Sequence, residues 1–273
     1  MSSEIKKIVQ MALAEDIGTG DLSSDLLNNE RIKASIICRE KAVICGIEYS
    51  DYCFTELDPS IEIHWKINEG EEVMPGTIIC QFVGLAQAVI SAERTALNFL
   101  QTLSATATQT RLLFNLIKHT KTQLLDTRKT IPNLRHAQKY AVKCGGGVNH
   151  RMGLYDFIML KENHIMAIGS IEKSIELAII NNPEIPIIVE VETLEELQRT
   201  LKINGIERVL CDNFSIAELT KAVSKAKGVC QLEASGNIDE NNIVSYAETG
   251  VDYISIGAIT KHINAIDLSL QFN

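Results

Sequence analysis

The stretch IPIIVEVETLEELQRTLKINGIERVLCD, residues 185–212, decides the fold class of this chain. Its two apolar runs, IPIIVEVE (185–192) and RVLCD (208–212), are short and typical of buried parallel strands. A helical pattern over residues 193–203 separates them. A strand, a helix and a second strand in this order predict one βαβ unit.

The same alternation extends over the second half of the chain. Its other predicted strands are QLLD (123–126), FIML (157–160), CQLEAS (230–235) and DYISIG (252–257), and its other helical stretches lie near 134–143, 170–181, 214–226 and 239–249. Six strands at this spacing predict an α/β fold with a closed or incomplete (β/α) barrel. An open doubly wound sheet is the alternative.

The first half has a different pattern. Its short strand-like runs are IKASIIC (32–38), AVICG (42–46), IEIHW (61–65) and GTIICQF (76–82), and a helix is predicted at about 47–57. Turn signals such as Asp58-Pro59 separate the runs. We expect a small α+β sandwich here, followed by a long helix over residues 91–118 that leads into the second half.

Composition excludes several classes of function. The chain has a formal net charge of −9 and a pI near 5.2, which argues against nucleic acid and anionic membranes as partners. None of the seven cysteines forms a CxxC pair, so buried, reduced thiols are expected. The N-terminal stretch lacks the apolar segment of a signal peptide, and no stretch is long enough to span a bilayer. We therefore expect a cytoplasmic protein.

One segment of this acidic chain is strongly basic. Between Asp126 and Lys161 there are seven Lys or Arg residues and two acids. A local concentration of positive charge on an acidic protein indicates a small, highly anionic ligand. Five basic residues of this region fall at or just after the ends of predicted elements, and together they could hold a dicarboxylate and a phosphate. They are Arg128, Lys129, His150, Arg151 and Lys161.

The predicted strands also end in polar residues. These are Asp126, Lys161, Glu190 and Glu192, Asp212, Glu233 and Ser235, and Ser255. In α/β barrels the carboxyl ends of the strands form the rim that carries the active site. We therefore expect these side chains to share one cavity. Arg135, Lys139 and Lys143 instead form one stripe on a helix, where a surface position and a supporting position both remain open.

Two further groups complete the predicted site. Glu190 and Asp212 could hold Mg²⁺ or the hydroxyls of a ribose, and ion pairing with the neighbouring cations is the alternative. Ser235-Gly236-Asn237 and Ser255-Ile256-Gly257 each follow a late strand, where backbone N–H groups can bind phosphate. Ordinary turn chemistry would also explain both loops. His164 follows Lys161 closely and is predicted to support it.

Nine motifs in order resemble the quinolinate phosphoribosyltransferase family. They are EDIGTGDLSSD (15–25), AERTALNFLQTLSATAT (92–108), DTRKTIPNLR (126–135), KYAVKCGGGVNHRMGLYD (139–156), LKENH (160–164), EVE (190–192), CDN (211–213), LEASGNI (232–238) and VDYISIGAIT (251–260). The departures are Ala105 and Asn237, where glycine is common, and Glu162, where aspartate is usual.

The resemblance implies a fold and a reaction. The fold is an N-terminal α/β sandwich, residues 1–103 joined by 264–273, with an incomplete α/β barrel at 104–263. The reaction joins quinolinate to the sugar of phosphoribosyl pyrophosphate, with Mg²⁺, and gives nicotinate mononucleotide, pyrophosphate and CO2. Members form dimers or larger homo-oligomers, in which Arg94 would enter the site of the neighbouring subunit.

The resemblance also assigns roles to individual residues. Lys129, Lys161, Glu190 and Asp212 are expected to take part in catalysis. The expected substrate-binding set is Arg94, Thr127, Arg128, Lys129, His150, Arg151, Lys161, Glu190, Asp212, Ser235, Gly236, Asn237, Ser255, Ile256 and Gly257, with Arg135, Lys139 and His164 in supporting positions. Two alternatives remain at this point: a nicotinate phosphoribosyltransferase, and a non-catalytic anion-binding protein with the same barrel.

Overall fold

The computed structural model describes residues 2–27 and 30–272, and its contacts divide the chain into two compact units. Unit 1 takes the described residues up to Arg111, the segment Pro132–Gly146, and those from His262 onwards. Unit 2 consists of Leu112–Ile131 and Gly147–Lys261. The predicted domain bounds, 1–103 with 264–273 and 104–263, stay a prediction.

The elements are numbered along the chain. They are α1 (Ser2–Ile17), a short 3-10 helix (Ser24–Leu26), β1 (Arg31–Cys38), β2 (Ala42–Val43), α2 (Ile47–Leu57), β3 (Glu62–Trp65), β4 (Glu72–Val73), β5 (Ile78–Leu85), α3 (Ala86–Ile117), β6 (Gln123–Leu125), α4 (Arg135–Gly145), β7 (Ile158–Leu160), α5 (Glu162–Ile168), α6 (Ile171–Asn181), β8 (Ile187–Val191), α7 (Leu194–Thr200), β9 (Arg208–Asp212), α8 (Ile216–Ala226), β10 (Gln231–Ser235), α9 (Ile243–Ala247), β11 (Tyr253–Ser255), α10 (Ala258–Lys261) and β12 (Leu268–Phe272).

Unit 1 contains an antiparallel sheet with the strand order β12-β1-β5-β3, and a small pair, β2-β4. Buried and less buried residues alternate along most of β5, as expected for a strand with one face on a core. Phe82 of β5 and Phe54 of α2 bring their rings to 4.5 Å between centroids. Helix α2 therefore packs on the sheet, and the predicted α+β sandwich is confirmed.

Unit 2 contains a parallel sheet with the order β6-β11-β10-β9-β8-β7 within the described residues. This is the cyclic order of a barrel, opened between β6 and β7. A doubly wound sheet would instead reverse its strand order near the middle. The predicted incomplete (β/α) barrel is thus confirmed, and the doubly wound alternative is wrong.

Local sequence signals set where the helices of unit 2 begin. The hydroxyls of Thr193 and Ser215 accept N–H groups of the first turns of α7 and α8, and Glu196 and Glu218 complete both capping boxes. Because α7 and α8 begin at these caps, β8 and β9 end shortly before them. The last residues of both strands therefore lie at the same edge of the sheet. Over residues 2–27 and 30–272, no helix combines the length and the apolar character that a membrane crossing requires.

Candidate active site

A cavity of about 300 Å³ opens at the carboxyl edge of the parallel sheet in unit 2. Ten predicted site residues line it: Thr127, Arg128, Lys129, His150, Arg151, Lys161, Glu190, Asp212, Ser235 and Ser255. Three further residues, Met159, Leu210 and Glu233, complete the lining. Most of the groups predicted from the strand ends therefore meet in one space, whereas Asp126 and Glu192, which were expected to share it, do not line the cavity.

An ion pair joins two neighbouring strand ends. Lys161 follows β7 and its ammonium group donates a hydrogen bond to the carboxylate of Glu190 in β8. The backbone N–H of Lys161 donates to Nδ1 of His164 at 3.1 Å, which closes the first turn of α5. His164 is thus bonded to the backbone of Lys161 and does not line the cavity. Glu190 is therefore ion-paired with a cation of the cavity, which was the alternative to its binding Mg²⁺ or a ribose.

Asp212 lies beside this pair. Burial, and then the negative charge of Glu190, raises the pKa of the Asp212 carboxyl, although Lys161 and Lys129 oppose the shift. Two carboxylates that disfavour one another's charge, despite two nearby lysines, form a donor set suited to a divalent cation. Asn213 donates to Asp212 at 2.9 Å and fixes the orientation of its side chain.

The loop that carries His150 and Arg151 is held by buried acids. Asp126 accepts the backbone N–H of His150 at 2.9 Å and the side-chain amide of Asn149 at 2.5 Å. Nδ1 of His150 accepts the backbone N–H of Arg151 at 2.6 Å, and its Nε2 lies 3.2 Å from the Glu233 carboxylate. Both ring nitrogens therefore face protein groups. This geometry gives His150 a supporting position in the wall of the cavity.

Arg151 is the most buried cation of the cavity, with 9% of its surface exposed. Its guanidinium donates to the carbonyl of Phe157 at 3.2 Å. Burial, followed by the charge of nearby Arg128, lowers the pKa of Arg151, whereas Asp156 and Glu190 oppose that change. Two neighbouring guanidinium groups with partial desolvation bind an anion more strongly than the same groups in water.

The first predicted phosphate loop is tightly built. A Cβ at Gly236, whose φ is +97°, would lie 2.2 Å from Oδ1 of Asn213 and 2.9 Å from its backbone nitrogen. Asn237 has a φ of +50° and donates from its side chain to the same Oδ1 at 3.0 Å. Asparagine tolerates this left-handed conformation, so Asn237 can stand where glycine is common. Gly236 and Asn237 lie next to the cavity and outside its lining.

The second predicted loop contributes less than expected. Ser255 lines the cavity, but the N–H of Ile256 donates to the carbonyl of Leu125 at 3.1 Å. That N–H is therefore committed to the sheet and cannot also bind phosphate. Gly257 packs against Lys129 and does not line the cavity.

Three predicted residues belong to unit 1. Arg94 is exposed on α3, and Arg135 and Lys139 lie on α4. Lys139 is fully buried, which excludes a solvated position for this residue, while Lys143 on the same helix is exposed. Lys139 and Lys143, which the sequence placed on one stripe of the helix, thus differ in their exposure to solvent.

The sequence reading missed the apolar part of the lining and the role of one acid. Met159 and Leu210 are inward residues of β7 and β9, and they resembled ordinary core residues in the sequence. Glu233 was expected to share the cavity, but the sequence assigned no role to it. The available signal was an acid in the middle of the apolar strand QLEAS, a position that is costly unless the charge is paired.

A second group of possible metal ligands lies in unit 1. Ligand atoms of Cys45, Glu69 and Cys144 all lie within 4.8 Å of one another. The Glu69 carboxylate, however, accepts the N–H groups of Gly46 and Ile47 at 2.6 and 3.0 Å, and so caps the start of α2. All seven cysteines are free thiols and five are buried, as expected.

Comparison with known proteins gives matches over nearly the whole chain. The family model described as quinolinate phosphoribosyl transferase, N-terminal domain, matches residues 21–104, and the model of the C-terminal domain matches residues 106–271. A probable nicotinate-nucleotide pyrophosphorylase (carboxylating) of Synechocystis is 39% identical over 96% of this chain and 90% of its own length. A decarboxylating quinolinate phosphoribosyltransferase of Nicotiana tabacum is 34% identical over 99% of this chain and 83% of its own length.

A solved structure agrees with these matches. The nicotinate-nucleotide pyrophosphorylase from Francisella tularensis superposes with a TM-score of 0.98 at 46% identity, covering 100% of this chain and 97% of that one. Both sequence domains, their order and the fold are therefore shared. The chain belongs to the quinolinate phosphoribosyltransferase family.

Proposed function

We propose that the cavity of unit 2 carries out the reaction of this family, in which quinolinate and phosphoribosyl pyrophosphate give nicotinate mononucleotide, pyrophosphate and CO2 for NAD biosynthesis. One observation carries the proposal. Four cationic side chains line a single cavity of about 300 Å³ together with the carboxylates of Glu190, Asp212 and Glu233: Arg128, Lys129, Arg151 and Lys161. This density of fixed positive charge suits a ligand with several negative charges.

Quinolinate is an aromatic ring with two adjacent carboxylates. Guanidinium groups can bind a carboxylate through two parallel hydrogen bonds, which assigns this task to Arg128 and Arg151. Met159 and Leu210 offer the apolar surface that the pyridine ring requires. A nicotinate phosphoribosyltransferase would need fewer cations, because its substrate carries one carboxylate.

The sugar donor would occupy the acidic side of the cavity. Glu190 and Asp212 would bind the ribose hydroxyls, either directly or through Mg²⁺. The raised pKa of Asp212 supports a cation at this point, because a positive charge would offset the repulsion from Glu190. Bound Mg²⁺ would supply charge neutralisation for the departing pyrophosphate. The hydroxyls of Ser235 and Ser255, with the adjacent Gly236-Asn237 turn, would hold the 5′-phosphate.

The chemistry follows from these positions. The ring nitrogen of quinolinate attacks C1′ of the ribose, and the C1′–O bond to pyrophosphate breaks. The new pyridinium nitrogen then stabilises the carbanion that remains when the neighbouring carboxylate leaves as CO2, and a proton adds to that ring carbon. The protein contributes mainly positioning and electrostatic stabilisation. Lys129 and Lys161 are both placed to donate the proton or to steer the departing carboxylate.

A direct assay tests the proposal. Purified protein is mixed with phosphoribosyl pyrophosphate, Mg²⁺ and quinolinate labelled in the carboxyl group next to nitrogen. Release of labelled CO2 together with nicotinate mononucleotide is the expected result. Turnover of nicotinate without CO2 release would instead indicate a nicotinate phosphoribosyltransferase. Binding of both substrates without turnover would favour the non-catalytic alternative.

Two further proposals concern the protein as a whole. Arg94 is an exposed cation on α3, and in a homo-oligomer it would complete the quinolinate site of the neighbouring subunit. A cytoplasmic location is proposed from the acidic composition and the thiol cysteines. Sedimentation of the purified protein and fractionation of cells test these two points.

A further inference from the structure

Glu233 is the acid that the roles above leave unused. It lies in the middle of β10 and is fully buried, yet it borders the cavity. A buried carboxylate is costly unless it is paired, so its partners show what it does. They are Arg208, whose guanidinium donates to Glu233 at 2.9 Å, and His150, whose Nε2 lies 3.2 Å away.

The charged state of Glu233 is well supported. Burial alone would raise the pKa of this carboxyl, but the contact with His150, followed by Ser255 and Arg208, holds the pKa below its usual range. Arg208 is itself fixed, because its guanidinium carbon lies 3.8 Å above the ring of Tyr253. Glu233 is therefore a rigid negative charge behind the cavity.

This charge sets the orientation of His150. Because Nδ1 of His150 accepts the N–H of Arg151, the ring carries its proton on Nε2, which faces Glu233. Asp126 holds the backbone of the same residue from the other side. The two peptide groups that flank His150 are thus each fixed by one hydrogen bond, and the Arg151 side chain starts next to the second of them.

We infer that Glu233 is a positioning residue for substrate binding, because it holds the His150 ring that in turn fixes the backbone of Arg151 at the cavity. The inference rests on the proposed function, since it requires Arg151 to bind quinolinate. It differs from a general structural role, because the effect of Glu233 on affinity passes through one identified cation.

A double-mutant cycle separates the two roles. Quinolinate affinity is measured by titration calorimetry on the full chain for the wild type, Glu233→Gln, Arg151→Ala and the double variant. Glu233→Gln keeps the shape of the side chain and removes its charge. The expected result is an affinity about tenfold weaker for Glu233→Gln, with little further loss when Arg151 is already alanine. Glu172→Gln is the control, because it breaks the other described Glu–Arg pair of unit 2, with Arg199, away from the cavity.

A second readout follows His150 itself. In protein labelled with ¹⁵N-histidine, the His150 signals are assigned with His150→Gln, and the Nε2 proton signal should move in Glu233→Gln but not in Glu172→Gln. If Glu233→Gln does not fold, Glu233→Asp, which withdraws the carboxylate by one methylene, is measured in the same two ways.

The outcomes are distinct. If Arg151→Ala weakens quinolinate binding but Glu233→Gln does not, or weakens it equally in both backgrounds, the positioning role is overturned and the proposed function stands. If Arg151→Ala leaves binding unchanged, the proposed quinolinate site and the positioning role both fall. An unchanged His150 signal in Glu233→Gln also overturns the inference.

Discussion

Gly257 leaves room for the side chain of Lys129, which lines the cavity. A Cβ at Gly257 would lie 2.7 Å from Cδ of Lys129 and 3.3 Å from the Thr127 hydroxyl oxygen. Glycine is needed here for space, because its backbone conformation is one that other residues adopt readily. The loop after β11, which contains Gly257, therefore shapes the site by leaving room for the Lys129 side chain.

Gly257→Ala should displace the Lys129 side chain while the fold is kept, because a lysine stem can rotate away from a new methyl group. Because Lys129 would no longer be correctly placed for the substrate, kcat/KM for quinolinate should fall about tenfold or more. The control is Ala258→Ser, which adds one atom to the next, exposed residue. Wild-type kinetics for Gly257→Ala would show that Lys129 does not need this position.

Arg128→Ala and Lys161→Ala should each abolish measurable quinolinate binding without unfolding the protein. Loss of one charge-assisted contact in a desolvated site costs about 2–5 kcal/mol. Calorimetric titration measures the affinity, and circular dichroism checks the fold. Lys227→Ala, an exposed lysine after α8, should bind normally. Near-normal affinity of the two cavity variants would reject the assignment of the quinolinate site.

Asp212→Asn should raise the melting temperature at neutral pH. The folded state raises the pKa of Asp212, so the ionised side chain lowers stability above that pKa, and this cost is absent below the usual Asp value of 3.8. The gain in Tm should therefore shrink as the pH falls towards that value. Scanning calorimetry from neutral to acidic pH measures it, and activity should fall in the same variant. A Tm of Asp212→Asn below that of the wild type at neutral pH would contradict the upward shift assigned to the pKa of Asp212.

Gly236→Ala should disturb the phosphate loop, because the new Cβ meets Asn213 and the left-handed backbone costs an alanine about 1–2 kcal/mol. The melting temperature and the affinity for phosphoribosyl pyrophosphate should both fall. The matched change Asn237→Gly relaxes a left-handed residue and loses one hydrogen bond, so its stability should stay within about 1 kcal/mol of wild type. Equal losses of melting temperature and of affinity in both variants would show that the loop conformation does not matter.

Mixing two inactive variants tests the proposed role of Arg94. If Arg94 of one subunit completes the site of another, Arg94→Ala mixed with Lys161→Ala should regain part of the activity, because some sites then contain both residues. Subunit exchange is verified with two affinity tags, and each variant alone is the control. No recovery in verified mixed oligomers would count against a shared site.

Much of unit 2 could be predicted because its strands are short apolar runs with polar ends. The predicted strand RVLCD coincides with β9, and the others in unit 2 differ by a few residues at their ends. Five residues that line the cavity follow from this pattern, since the carboxyl ends of parallel strands meet at one edge: Lys161, Glu190, Asp212, Ser235 and Ser255. The alternation of strands and helices along the sequence also predicted the positions of the helices between these strands.

Other features depend on three-dimensional contacts that spacing does not reveal. Helix α5 (162–168) and strand β12 (268–272) were not predicted, because each is short and has no strong period. The supporting position of His150 follows from contacts with Arg151 and Glu233, and Glu233 is far from it in the chain. The N–H of Ile256 is committed to Leu125, a backbone pairing that no side-chain pattern shows.

The pairing of β12 with β1 has a consequence for synthesis of the protein. Residues 34–38 of β1 bond to residues 268–272, more than 200 positions later. On the ribosome, β1 can pair early with β5, but its other side offers unpaired backbone groups until β12 emerges. During that interval the nascent chain presents an unpaired strand edge, and it is therefore more open to aggregation and to chaperone binding than the completed sheet.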